Sequence, residues 1–185
     1  MTFYTANLFF GDSSVAKRRH FNTTHLMHNR ILENWNSIIT PDDEVYILGG
    51  VGEFEFLSSL NGEITVFMSE YERGFYDKYI DSVTDCKDDP YNKEMFDTYV
   101  RSMFYVNKVQ YHNSIIKRDY SGSLIRLAIG REAIIKSSQF VVAGGIGDYQ
   151  RMFKNGINAD IYVNGMFPLT EVSVRGLVSH IKEII

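Results

Sequence analysis

The chain has 185 residues, 44% of them hydrophobic and 23% charged, which is typical of one folded domain with a single hydrophobic core. A formal net charge of −4 provides no broad basic surface, which argues against nucleic acid as a partner. The single cysteine excludes an intrachain disulfide framework and no run of about 18 apolar residues is present, so we expect a cytoplasmic protein without a membrane span.

The first third of the chain alternates between strand and helix patterns, which favours a layered α/β fold. A threonine at position 23 or 24 is suited to cap the helix that follows it. The basic run at residues 17–20 is expected to be a solvated helix end or loop. The predicted elements are a strand at 3–6, a helix at 24–39, a strand at 45–48, a short helix at 54–60 and a strand at 64–68.

The remainder of the chain is less regular. Residues 71–123 are polar and aromatic, with helical spacing around 91–116 that predicts one or two helices. After that region we predict strands at 124–129, 140–143 and 158–163, a short helix at 132–137 and a last amphipathic helix at 172–185. The whole chain, 1–185, is interpreted as a single domain.

Several segments resemble the small calcineurin-like metallophosphoesterases of bacteria and their viruses. The opening F-Y-T-A-N-L-F-F-G at 3–11 is similar to that family's first strand, which reads T-A-D-L-H-F-G. The helix, turn and strand at 33–49 match it almost residue for residue, and 154–158 and 163–169 are similar to its closing strand and turn. The resemblance covers 1–73 and 140–185, and implies a β-sheet core flanked by helices with a diverged or inserted, helical segment at about 75–125.

The family holds two metal ions that clamp a phosphate and activate a water. This chain carries different side chains where the resemblance puts the family's metal ligands, which are Asn7 and Phe9 for D-x-H, Gly50 for the aspartate of G-D, Glu70 for the asparagine of G-N-H-D, and Gly145 and Gly147 for the histidines of G-H-x-H. A second histidine of the opening loop matches Asp12, and the histidine of G-N-H-D matches Tyr71. The resemblance therefore implies a pseudoenzyme without a catalytic residue, a metal pair or another cofactor.

Two other arrangements of ligand-type side chains need to be considered. Carboxylates and an amide around the same pocket would suit one magnesium or calcium ion, although solvated loop carboxylates are the simpler interpretation; they are Asn7, Asp12, Glu53, Glu70, Glu72 and Asp148. His25 and His28 are three residues apart on the predicted helix, and we expect them to be a surface pair rather than metal ligands.

A scaffold without its metal centre favours a binding or structural role. The resemblance to proteins of bacterial viruses suggests a bacteriophage virion or accessory protein, with a location in the virion or the cytoplasm. Aromatic side chains are enriched at interface centres, so we expect residues 75–125 to contact another protein, a further copy or a larger assembly through Tyr99, Phe104 and Tyr111. Burial of these side chains in the core is the other interpretation. The alternative function is a rebuilt, metal-dependent phosphoesterase that hydrolyses phosphodiesters or phosphomonoesters and uses Glu70.

Overall fold

The structure of the chain is a computed structural model that describes residues 1–67, 107–109, 114–118, 124–129, 140–145 and 150–184. In chain order the elements are β1 (Thr2–Thr5), α1 (Ser13–Arg18), α2 (Thr24–Ile38), β2 (Glu44–Leu48), a 3-10 helix (Phe54–Ser59), β3 (Glu63–Phe67), β4 (Asn107–Val109), β5 (Ser114–Arg118), β6 (Leu124–Ile129), β7 (Phe140–Gly144), β8 (Met152–Phe153), β9 (Gly156–Asn158), β10 (Leu169–Thr170) and α3 (Glu171–Ile184).

The described strands form two mixed sheets. The first has the order β10-β1-β2-β3-β4, in which β1 to β4 are parallel and β10 is antiparallel to β1. The second has the order β5-β6-β7-β9-β8, with β6, β7 and β9 parallel. Parallel neighbours need crossover connections, and α2 supplies the one between β1 and β2. The predicted α/β class, with sheets flanked by helices, is therefore confirmed.

Each face of the first sheet has its own hydrophobic core, because side chains alternate along a strand. One face packs against α2, which contributes Met27, Ile31 and Trp35 to a cluster with the strand residues Phe3, Val45, Ile47, Ile64 and Val66. The other face packs against the second sheet in a cluster that includes Tyr4, Tyr46, Leu48, Phe67, Leu127, Val142 and Ile157. The predicted burial of Trp35 and of the strand at 45–48 is confirmed.

Local capping explains where the first helices begin. Thr23 is the N-cap of α2, and its hydroxyl accepts a hydrogen bond from the Leu26 N–H at 3.2 Å. Asp12 caps α1 in the same way, with Oδ1 accepting from the N–H groups of Ser14 and Val15 at 2.9 Å. The helix α1 was not predicted, since its six residues are too few for a clear periodic pattern.

Three expectations from the sequence are wrong or only partly right within the described part of the chain. The basic run at 17–20 does end α1 and is otherwise exposed, as predicted, but Arg19 in it is buried. Residues 107–109 and 114–118 are strands, not helix, because pairing with β3 and β6 overrides their local spacing. Of the strand predicted at 158–163 only Asn158 belongs to a strand, as the last residue of β9, since the side chains of Asn158 and Asp160 turn the chain by accepting hydrogen bonds from the N–H groups of Asp160 and Tyr162.

The predicted helix at 132–137 and most of the segment at 75–125 lie outside the described residues. Among the described helices, none combines the length and the apolar composition that crossing a bilayer requires.

Candidate functional site

The carboxyl ends of β1, β2 and β7 meet at one edge of the two sheets. Beyond β1 the chain is held to the end of β2 by hydrogen bonds from the Asn7 N–H to the Gly49 carbonyl at 2.9 Å and from the Phe9 N–H to the Gly50 carbonyl at 2.7 Å. At Gly144 the sheets are so close that a Cβ would lie 2.0 Å from the Leu48 carbonyl oxygen. Sheets of this kind bind ligands at the carboxyl ends of their strands, so this edge is the candidate site.

Asn7 occupies the space that a side chain at position 50 would need. A Cβ built on Gly50 would lie 2.5 Å from Asn7 Oδ1 and 2.6 Å from its Cα, and the Gly50 φ of 75° already disfavours any other residue. The Asn7 amide nitrogen donates to Asp160 Oδ2 at 2.6 Å. The Asn7 side chain therefore fills the space beside Gly50, and no aspartate fits at position 50 with this backbone.

Arg19 ties the opening loop to the turn after β9. Its guanidinium donates to the Asn7 carbonyl at 2.6 Å and lies 3.5 Å from Asp160 Oδ1. The rings of Phe9 and Tyr162 lie 5.6 Å and 5.5 Å from its central carbon, which is within the range of cation–π attraction. Because only 6% of the Arg19 side chain is exposed, these contacts replace its hydration. We call Asn7, Phe9, Arg19, Asp160 and Tyr162 the strand-end cluster.

The backbone of the opening loop is strained. Asn7 and Phe9 have φ values of 59° and 51°, in the left-handed region that side chains other than glycine rarely adopt. Asparagine tolerates this conformation, whereas phenylalanine does so at a cost of the order of 1–3 kcal/mol. The hydrogen bonds to the β2 end and the cation–π contact of Phe9 with Arg19 hold the loop in place. Strain of this size is concentrated at functional sites in proteins.

The two described acidic side chains of the opening loop and its neighbour, Asp12 and Glu53, are engaged by other groups of the chain. Burial would raise the pKa of the Asp12 carboxyl, but hydrogen bonds from Ser14 and from the Val15 N–H outweigh it and leave the pKa below its usual value. Asp12 Oδ1 is committed to these capping bonds. Glu53 packs against Gly11, where an added Cβ would lie 2.3 Å from the Glu53 carboxylate. Across the ranges that the structure describes, no three His, Cys, Asp or Glu side chains converge.

The two histidines of α2 have different environments, so the predicted surface pair is only half right. His25 is exposed, within 3.2 Å of the Asn29 amide nitrogen. His28 is 5% exposed and its Nε2 accepts a hydrogen bond from the Gly11 N–H at 2.8 Å. It is buried because the amphipathic face of α2 turns it towards Phe10, a contact that helical spacing alone does not reveal.

The structure brings together part of the set of site residues predicted from the sequence. Asn7, Phe9 and Gly50 lie side by side at the ends of β1 and β2, and exposed Gly145 directly follows β7. The other predicted positions lie outside the described residues; they are Glu70, Tyr71, Glu72, Gly147, Asp148, Tyr99, Phe104 and Tyr111. Sequence reasoning missed Arg19 and Asp160. The Asn-x-Asp spacing at 158–160 is a turn signal that could have indicated the latter.

Comparisons with other proteins support the fold alone. No protein-family model matches the chain, and no curated protein matches its sequence. A solved structure with a similar fold is that of AQ665 from Aquifex aeolicus, a protein of unknown function. It superposes with a TM-score of 0.64 at 15% identity, over 96% of this chain and 98% of that one.

Proposed function

We propose that this chain is a binding or structural protein built on a calcineurin-like phosphoesterase scaffold whose metal centre has been lost. The observation that carries the proposal is the Asn7 side chain, which fills the space beside Gly50 and bonds to Asp160 at 2.6 Å. In the family that the sequence resembles, an aspartate at the position of Gly50 bridges two metals. Here position 50 carries no charge, and Asn7 leaves no room for a carboxylate side chain there.

The chemistry of the neighbouring groups supports the same conclusion. Phe9 offers no lone pair for a metal, and Asp160 already faces the Arg19 guanidinium at 3.5 Å. A divalent ion beside that guanidinium would meet like charge at a few ångströms, where low local dielectric makes repulsion large. The described residues at this edge therefore do not fit a two-metal site.

The partner is proposed to be another protein, a further copy of this chain or a larger assembly such as a bacteriophage virion. We place the contact mainly in residues 75–125, with Tyr99, Phe104 and Tyr111 at its centre. Aromatic side chains in a segment joined to a rigid sheet core are suited to recognition. A standard interface would bury about 800 Å² on this chain.

Two measurements test the proposal. The purified chain with manganese should hydrolyse a chromogenic phosphodiester no faster than buffer; manganese-dependent turnover that is lost in Glu70→Gln would instead favour the rebuilt phosphoesterase.

Sedimentation velocity should show association that weakens in Tyr99→Ala, Phe104→Ala and Tyr111→Ala. The exposed Phe167 provides the matched control, and Phe167→Ala should associate like the wild type. Equal association in all four variants would refute the placement.

A further inference from the structure

The only hydrogen bond that the described structure gives to the Gly11 N–H ends on a titratable ring. Its acceptor is His28 Nε2 at 2.8 Å. A ring nitrogen accepts only while it carries no proton, so this geometry requires a neutral His28 whose proton is on Nδ1. Protonation of Nε2 would put two N–H donors face to face and remove the bond.

The surroundings of His28 are apolar on two sides. The rings of Phe10 and Phe56 lie 5.3 Å and 4.4 Å from the imidazole, both edge-on. The nearby titratable groups are His25 on the same helix and, on either side of the bonded Gly11, Glu53 and Asp12. Burial, followed by the charge of His25, lowers the pKa of His28 below its usual value of 6.5.

The bond anchors the strained part of the strand-end cluster. Gly11 is two residues after Phe9, whose positive φ needs external support, and directly before Asp12, the cap of α1. At its other end α1 leads to Arg19, which holds Asn7 and Asp160. Releasing Gly11 therefore loosens the loop at 7–12 at a point where its conformation is already costly.

We propose that His28 is a pH-sensitive latch, in which the neutral imidazole holds the loop at 7–12 closed and the imidazolium releases it together with the start of α1. This device is independent of whether the chain binds a partner, because it rests on the Gly11–His28 bond alone.

The direction of the effect follows from linkage. Above pH 6.5 the ring is neutral whether the loop is closed or open, so the closed state has its full stability. Below 6.5 the open state takes up a proton that the closed state resists. The ratio of open to closed loop therefore rises by up to about tenfold per pH unit until the closed state also protonates.

Hydrogen exchange of the Gly11 amide, followed by NMR and corrected for intrinsic exchange, measures this opening. Between pH 6.5 and about pH 5.5 we expect protection to fall by up to about fivefold in the wild type. His28→Gln retains an acceptor that does not titrate, so its protection should not change over this range. Glu33→Gln, the control at an exposed position of the same helix, should keep the wild-type dependence.

Constant protection in the wild type, or unchanged pH dependence in His28→Gln, would overturn the proposal. If His28→Gln does not fold, the ¹⁵N chemical shifts of the ring nitrogens of wild-type His28 provide the test. The proposal requires the ¹⁵N shift of an unprotonated acceptor at Nε2 above pH 7, and a proton on Nε2 there contradicts it.

Discussion

Replacing Trp35 with alanine tests the packing of α2 on the first sheet, the segment where the sequence resemblance is most specific. The indole is 0% exposed, and its Nε1–H donates to the Asn61 carbonyl at 2.9 Å. Loss of a fully buried aromatic side chain, with the cavity it leaves, costs about 3–5 kcal/mol. Since whole domains are stable by only about 5–15 kcal/mol, Trp35→Ala should be close to unfolding at ambient temperature.

Two further variants separate the contribution of the hydrogen bond from that of packing and provide a surface control. Trp35→Phe keeps a ring but leaves the Asn61 carbonyl without its donor, and should cost about 2 kcal/mol. Glu33→Ala changes an exposed position on the same helix and should stay within about 0.5 kcal/mol. Urea unfolding should be followed by far-UV circular dichroism, because Trp35 is the chain's single tryptophan and its fluorescence disappears with it. A cost under about 1 kcal/mol for Trp35→Ala would refute the packing.

Three further variants probe the start of the first sheet and the strand-end cluster. Hydrogen bonds, the largest from the N-terminal ammonium, lower the pKa of Asp43 from 3.8 to about 2, so wild-type stability should fall with pH below 3.8 and Asp43→Asn should flatten that fall in urea titrations. Arg19→Leu leaves Asp160 without its cation and should cost about 3 kcal/mol in urea unfolding, against under about 0.5 for the exposed Arg18→Leu. Gly50→Ala should lower the melting temperature by the equivalent of about 2 kcal/mol, because its Cβ collides with Asn7 at a positive φ, and an unchanged melting temperature would contradict that geometry.

The fold could be predicted where apolar periodicity and caps agree. α2 has its buried face at Met27, Ile31 and Trp35, behind Thr23 as cap, and the strands β2 and β3 are short apolar runs bounded by turn residues. The strand at 107–109 could not be predicted, because it depends on a partner distant in sequence, with Ile64 opposite Asn107. The strand at 114–118 pairs with β6, the next strand along the chain. Helical spacing is a local property and does not indicate such pairing.

For the candidate site, the sequence resemblance could indicate only the positions at which a related protein would have metal ligands. At two of them, Phe9 and Gly50, the side chain cannot bind a metal whatever the fold. The contacts of Arg19 at this edge depend on tertiary structure. Arg19 belongs to a basic run that looks solvated in the sequence, and it is buried because Asp160 and two aromatic rings contact it. Likewise His28 reaches Gly11 across 17 residues.

The most direct test of the proposal that this chain holds no metal pair is the metal content of the purified chain. After incubation with excess manganese and removal of free ion, elemental analysis should find well under one ion per chain, because Asn7 fills the space beside Gly50 and Arg19 supplies the local positive charge. An active two-metal phosphoesterase treated in parallel provides the upper reference. Two tightly held manganese ions per chain would contradict the account.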